Sequence, residues 1–255
     1  MNNNFSSSSA TNEGRTLKSN FRYILPTIVT LMNAIGGLLA IYAVFNGYYM
    51  EGVLWIFFGF FADTFDGPIA RHLNATSKFG AELDSLCDVI TFGIAPFVVL
   101  FAMNRISIFI SFIYILCALL RLARFGSVQS PPRRHLGLAS PMAAIWVVSS
   151  IGLSPFFSPQ IADIILSIIV FTASILMIST RHYHKILAAA SFKLRIIEWV
   201  LWLSTGVILI FWWLFAYDDV FIFIIWLISM GYTLFLGAPF LKWDNRGAKA
   251  FFQKG

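Results

Sequence analysis

DTFDGPIARHLNATSKFGAELDSLCD, residues Asp63 to Asp88, is the stretch whose reading decides this chain. Its chemistry-bearing residues run D-x2-D-G-x2-A-R-x8-G-x3-D-x3-D, between two strongly apolar runs. Asp63 and Asp66 are three residues apart, and Asp84 and Asp88 are four apart. If both flanks are helical, each pair shares one helix face, and the hairpin between them brings the pairs together. Four carboxylates at the mouth of a membrane bundle repel one another and are costly to desolvate. Divalent cations remove that cost, and ligation by oxygen alone suits Mg2+ or Mn2+. Gly67 and Gly80 clear space for a bulky group, and Arg71 offers a fixed cation for a phosphate. Taken singly, an acidic pair at a helix end is a solvated cap and a glycine is a packing contact. In this order, on apolar helices, the set specifies a site.

Composition supports a membrane setting. The chain of 255 residues is 58% hydrophobic and only 12% charged, with mean hydropathy +0.79, far from an ordinary soluble domain. The net charge of +6 could suggest a nucleic-acid partner, but its distribution excludes that reading. All 18 Lys and Arg residues except Arg105 fall in the termini and alternate loops. That is the positive-inside bias of an inner-membrane protein. Cys87 and Cys117 lie in apolar runs without metal-ligand or disulfide spacing and read as inert core thiols. The four histidines form no metal-ligand pattern either.

Residues 1–20 are polar and Ser/Asn-rich, and read as a disordered cytoplasmic tail. Apolar spans follow at about Ile24–Phe45, Val53–Ala70, from Gly80 onward, Ile106–Leu122, from Ser140 and Ile161–Ser179. Two more are expected at about Ile196–Phe215 and Val220–Leu236, making eight, with both termini cytoplasmic. Pro96 is expected to kink the third span, neighbouring helices satisfying the freed backbone groups. Thr30 and Asn33, three apart in the first span, share a face and either bond a neighbouring helix or reach a ligand. Arg121 and Arg124, three apart at the end of the fourth, either snorkel to headgroups or capture an anionic group. On this topology both arginines and the four aspartates share one membrane side, which faces the cytoplasm.

Asp63, Asp66, Gly67, Ala70, Arg71, Gly80, Asp84 and Asp88 fill every fixed position of a motif that resembles that of the CDP-alcohol phosphatidyltransferases. The resemblance implies an all-α integral membrane enzyme, metal-dependent and commonly a homodimer, that displaces CMP from a CDP-linked lipid with an alcohol. Its six-helix core would occupy residues 21–193, followed by two additional helices at 194–240 and a cytoplasmic tail at 241–255. KFGAELDSLCDVITFGIAP, LRLARF, GLASP and LMIST with SFK are similar to the serine-accepting branch, and extend the resemblance from about Leu25 to Lys193. Pro68, Gly126 and Ala139 stand where that branch has Arg, Asn and Pro.

Charges and geometry, set beside the resemblance, suggest roles for individual residues. Asp63, Asp66, Asp84 and Asp88 would hold two Mg2+ or Mn2+ ions, with Asp88 also the base that deprotonates the acceptor hydroxyl. Thr30, Asn33, Gly67, Ala70, Arg71, Ser77 and Gly80 would bind the CDP-lipid, here CDP-diacylglycerol. Arg121 or Arg124 would pair with the carboxylate of L-serine. Choline, glycerol phosphate and inositol phosphate remain alternative acceptors. A transporter is the reading from another class, since intramembrane charges also mark ion paths. Against it, the charges gather at one membrane face and no inverted repeat shows.

Overall fold

Both acidic pairs sit on helices, as their spacing predicts. In the computed structural model, residues 7–127, 134–152, 156–179 and 182–184 are described. Helix α1 is Ser7–Phe45, α2 Tyr49–His72, α3 Lys78–Asp88, α4 Ala95–Met103, α5 Ile108–Ser127, α6 Ser140–Ile151 and α7 Pro159–Ile178. A π-helical turn, Val89–Ile94, joins α3 to α4 in one continuous rod. Between α2 and α3 the chain reverses through Asn74, whose φ of 51° is the left-handed geometry asparagine tolerates. Ser77 then caps α3, its hydroxyl accepting the Gly80 N–H at 3.0 Å.

Four helical stretches among the described residues are long and apolar enough to cross a membrane: Arg22–Phe45, Tyr49–His72, Lys78–Met103 and Pro159–Ile178. Their outer faces are apolar and exposed, with Ile28, Ile35 and Leu38 on α1 and Ile164, Ile168 and Ile175 on α7. Polar groups such as Asn33, Thr91, Arg121 and Ser140 are buried instead. That inversion, with four such helices, makes this a multi-pass membrane protein. Helix α6 holds the place of the fifth expected span but has only 12 residues before its cap at Gly152. At about 18 Å it is shorter than a bilayer core. Buried throughout from Met142 to Ile151, it forms the centre of the bundle, against α2, α4, α5, α7 and the π turn.

Two features differ from the sequence expectation. Helix α1 starts at Ser7, so most of the stretch read as a disordered tail is helical. A helix already nucleated in an apolar span extends at one hydrogen bond per residue, without a new nucleation penalty. The all-helical fold also carries one short ribbon among the described residues. Arg134–Leu136 and His182–His184 form an antiparallel two-stranded ribbon, with His135 opposite Tyr183. This ties together two loops that the hydropathy pattern leaves as simple connections. The two expected spans at 196–215 and 220–236 lie outside the described residues.

Lipid offers no hydrophobic drive for one apolar helix to prefer another, so close backbone approach supplies the packing. A Cβ on Gly36 would lie 2.8 Å from the Gly59 nitrogen and the Trp55 carbonyl. One on Gly37 would lie 2.7 Å from Thr91 Oγ1, and one on Gly59 2.5 Å from Thr91 Cγ2. Only glycine lets α1, α2 and the π turn meet this closely. Pro96 supplies no N–H to the backbone of the π turn before it, where the Phe92 carbonyl lies. The fully buried Tyr114 of α5 donates its hydroxyl to that carbonyl at 2.8 Å. A neighbouring helix thus satisfies the backbone near Pro96, as expected from sequence.

Candidate active site

The hairpin of α2 and α3 gathers the acidic residues. Asp63 and Asp66 from α2 and Asp84 from α3 each present an oxygen, all within 4.8 Å of one another. Asp88, one turn beyond Asp84, lies beside this trio, within hydrogen-bonding reach of Asp63. Two side chains of α1 hold the carboxylates from behind. Asn33 donates its amide N–H to Asp88 Oδ1 at 3.2 Å. The Thr30 hydroxyl lies 3.0 Å from Asp66 Oδ2 and 3.1 Å from the Pro26 carbonyl, able to donate to either. Such partners orient metal-binding carboxylates.

The cluster fits a divalent cation. Asp84 Oδ1 is buried without a hydrogen-bond partner, an arrangement that a cation, but not apolar packing, relieves. The available donors are all oxygens, the set that Mg2+ and Mn2+ take.

On the Asp66/Asp84 side the cluster opens into a cleft of about 210 Å³. Helix α1 contributes Tyr23, Pro26, Thr27 and Thr30, and α2 contributes Gly67, Ala70 and Arg71. The connecting loop adds Ala75, Thr76 and Ser77, and α3 adds Gly80 and Ala81. Six of the seven expected CDP-lipid residues therefore converge here: Thr30, Gly67, Ala70, Arg71, Ser77 and Gly80. Asn33 is the exception, buried behind the cluster on Asp88. Gly67 keeps the cleft open beside Arg71, because a Cβ there would meet the guanidinium at 3.2 Å. Tyr23, Thr27 and Thr76 are cleft residues that sequence reasoning missed. Thr27 carried a usable signal, standing three residues before Thr30 on the same helical face.

On the Asp63/Asp88 side stands Arg121, only 8% exposed. Its Nη1 donates to Ser140 Oγ at 2.7 Å, its Nε is buried without a partner, and its charge acts on both Asp88 and Asp63. Arg124, three residues on, goes elsewhere. It donates to the carbonyls of Ile178 at 3.1 Å and Ser179 at 3.3 Å, at the end of α7. The two arginines that share a face in sequence thus have different partners. Ser140 reaches Arg121 because the preceding segment docks on α7, the Leu138 N–H donating to the Leu176 carbonyl at 2.9 Å. Gly137, at φ +75°, makes the necessary turn; a Cβ there would collide with the Met177 carbonyl. Ala139 adopts φ −61°, the angle proline would impose, so its departure from the serine-accepting pattern leaves the backbone path unchanged.

The sequence profile of the CDP-alcohol phosphatidyltransferase family matches residues 23–233, past the point to which the motifs could be traced. The CDP-diacylglycerol–serine O-phosphatidyltransferase of Bacillus subtilis (strain 168) is 40% identical over 129 residues, 49% of this chain and 73% of the relative. The enzyme of the same description from Methanocaldococcus jannaschii is 35% identical over 159 residues, covering 62% and 72% of the two chains. Archaetidylserine synthase of Methanothermobacter thermautotrophicus is 31% identical over 168 residues, covering 64% and 70%. With the acidic hairpin, the cleft and a profile match over most of its length, the chain belongs to the CDP-alcohol phosphatidyltransferase family.

Proposed function

We propose that this phosphatidyltransferase moves the phosphatidyl group of CDP-diacylglycerol to the hydroxyl of L-serine, giving phosphatidylserine and CMP. The observation that carries the choice of acceptor is Arg121, a buried cation beside Asp88 and Asp63 with a free Nε. A serine carboxylate matches it. Choline, itself a cation, would call for aromatic or anionic contacts in its place. The names of the relatives, which specify serine as acceptor, favour the same reading.

In this reading the two sides of the cluster divide the substrates. The CDP phosphates lie in the cleft, where Arg71 offers charge and Gly67 an unobstructed backbone. Asp63, Asp66, Asp84 and Asp88 would hold the divalent metal pair. Bound there, the metal neutralises phosphate charge and polarises the phosphoryl oxygens. Asp88, oriented by Asn33, accepts the proton of the serine hydroxyl, while Arg121 holds the serine carboxylate. The serine oxygen forms a bond to the β-phosphorus as the bond from that phosphorus to the bridging oxygen breaks. CMP departs with the bridging oxygen, and positioning carries much of the rate.

The protein is read as an inner-membrane homodimer with a six-helix core and two further helices, its site facing the cytoplasm. Arg105, the lone cation outside the basic side, supports that orientation. It lies between α4 and α5 and pairs with Asp163 at 2.8 Å.

The test is CMP release from CDP-diacylglycerol by protein purified in detergent. L-serine, choline, glycerol 3-phosphate and inositol phosphate are each supplied with Mn2+, Mg2+ or EDTA. Release with serine and metal alone is expected. Release with choline would keep the centre and overturn the acceptor.

A further inference from the structure

The rod from α3 to α4 does not keep one helical register. Directly after Asp88 the chain widens into the π turn, Val89–Ile94, and returns to α geometry at Ala95. A π turn inserts an extra residue, so it rotates the helix on its N-terminal side relative to the helix on its C-terminal side. Here it sets how Asp84 and Asp88 face the cluster relative to the anchored body of the rod. The turn is fixed from two directions by buried hydroxyls. Thr91 donates to the Asn33 carbonyl at 2.8 Å, and Tyr114 donates to the Phe92 carbonyl at 2.8 Å. Asn33 is also the residue whose amide holds Asp88. A continuous path therefore runs from Tyr114, through the π turn and Asn33, to Asp88. Tyr114 is otherwise enclosed by apolar packing.

We infer that Tyr114 is a positioning residue for the reaction: by donating to the Phe92 carbonyl inside the π turn, it holds that turn in register and Asp88 in place. This rests on the assignment of Asp88 to metal binding and proton transfer. Packing alone asks only for the ring, which phenylalanine would supply equally well. Tyr114→Phe removes one oxygen and leaves the ring in its pocket.

The experiment compares wild type, Tyr114→Phe, Pro96→Ala and the double variant, all full-length in detergent. Mn2+ affinity is measured without substrate by electron paramagnetic resonance, and CMP release is measured with CDP-diacylglycerol and serine. Loss of the hydroxyl is expected to weaken Mn2+ binding about tenfold, as for other residues that orient metal ligands, and to lower kcat similarly. The KM for CDP-diacylglycerol should stay within about twofold, because the cleft is built from other segments. In Pro96→Ala, residue 96 regains an N–H for the backbone of the π turn, a second tie that can hold its register in place of the hydroxyl. Removing the Tyr114 hydroxyl in that background should therefore have little effect on either readout.

Wild-type Mn2+ affinity in Tyr114→Phe overturns the inference, as does an equal loss in both backgrounds. A raised KM for CDP-diacylglycerol at unchanged kcat also overturns it. Should wild type bind Mn2+ without releasing CMP to any acceptor, the proposed function fails. The inference is then still decided by the Mn2+ affinities.

Discussion

The two sides of the acidic cluster are built in opposite ways. The cleft side comes mostly from one local hairpin, with Asp66, Gly67, Arg71, Ser77, Gly80 and Asp84 all within 19 residues of chain. The Asp63/Asp88 side depends on distant segments. Asn33 reaches Asp88 from α1, Arg121 comes from α5, and Ser140 holds Arg121 from the start of α6. A nucleotide diphosphate common to a whole family can be served by a compact motif. The other side, which the proposed function gives to the acceptor, is assembled from several helices and can change without disturbing the hairpin.

Asp63 belongs to both sides, as a member of the trio and the neighbour of Asp88. Asp63→Asn should therefore have the largest effect, lowering CMP release by roughly a thousandfold. Circular dichroism should show an unchanged helical fold. Retention of most activity would remove the cluster from the chemistry altogether.

Arg121→Ala isolates the acceptor side. The KM for serine should rise roughly a hundredfold, as expected for a lost buried charge pair, while the KM for CDP-diacylglycerol stays constant. An increase confined to CDP-diacylglycerol would collapse the distinction between the sides.

Arg71→Ala is its counterpart on the cleft. Arg71 is exposed, so the effect should be smaller, about a tenfold higher KM for CDP-diacylglycerol with serine unaffected. Measured with both substrates varied, the pair of variants maps the division directly.

Arg124→Ala should have the smallest effect, one on stability. Its hydrogen bonds to the Ile178 and Ser179 carbonyls terminate α7, and losing them should cost about 1–2 kcal/mol in a thermal melt. The KM for serine should not move. If it rises as much as in Arg121→Ala, both arginines face the acceptor and the assignment to α7 is incomplete.

Much of this was legible before any coordinates. Hydropathy located the apolar helices because membrane insertion demands long runs without charge, and the residue spacing placed both acidic pairs on helical faces. The cleft residues could be read because a hairpin of fixed length brings them together whatever surrounds it. The helix over residues 7–20 was not foreseen because composition does not reveal that a neighbouring helix can extend into a polar stretch. The short ribbon of β1 (Arg134–Leu136) and β2 (His182–His184) was missed because three residues per strand leave no alternation to detect.

By itself the amino-acid sequence determined the membrane setting and the acidic hairpin with Arg71 beside it. These follow from local periodicity, charge and chain length. Only the tertiary structure decided that Asn33 serves Asp88 rather than the cleft, that Arg121 and Arg124 part company, and that Tyr114 meets the π turn at Phe92. Each is a choice of partner for a buried polar group across a helix interface. It depends on how closely the backbones pack at Gly36, Gly37 and Gly59 and on the rotation of one helix against the next, neither of which the residue order along one helix encodes.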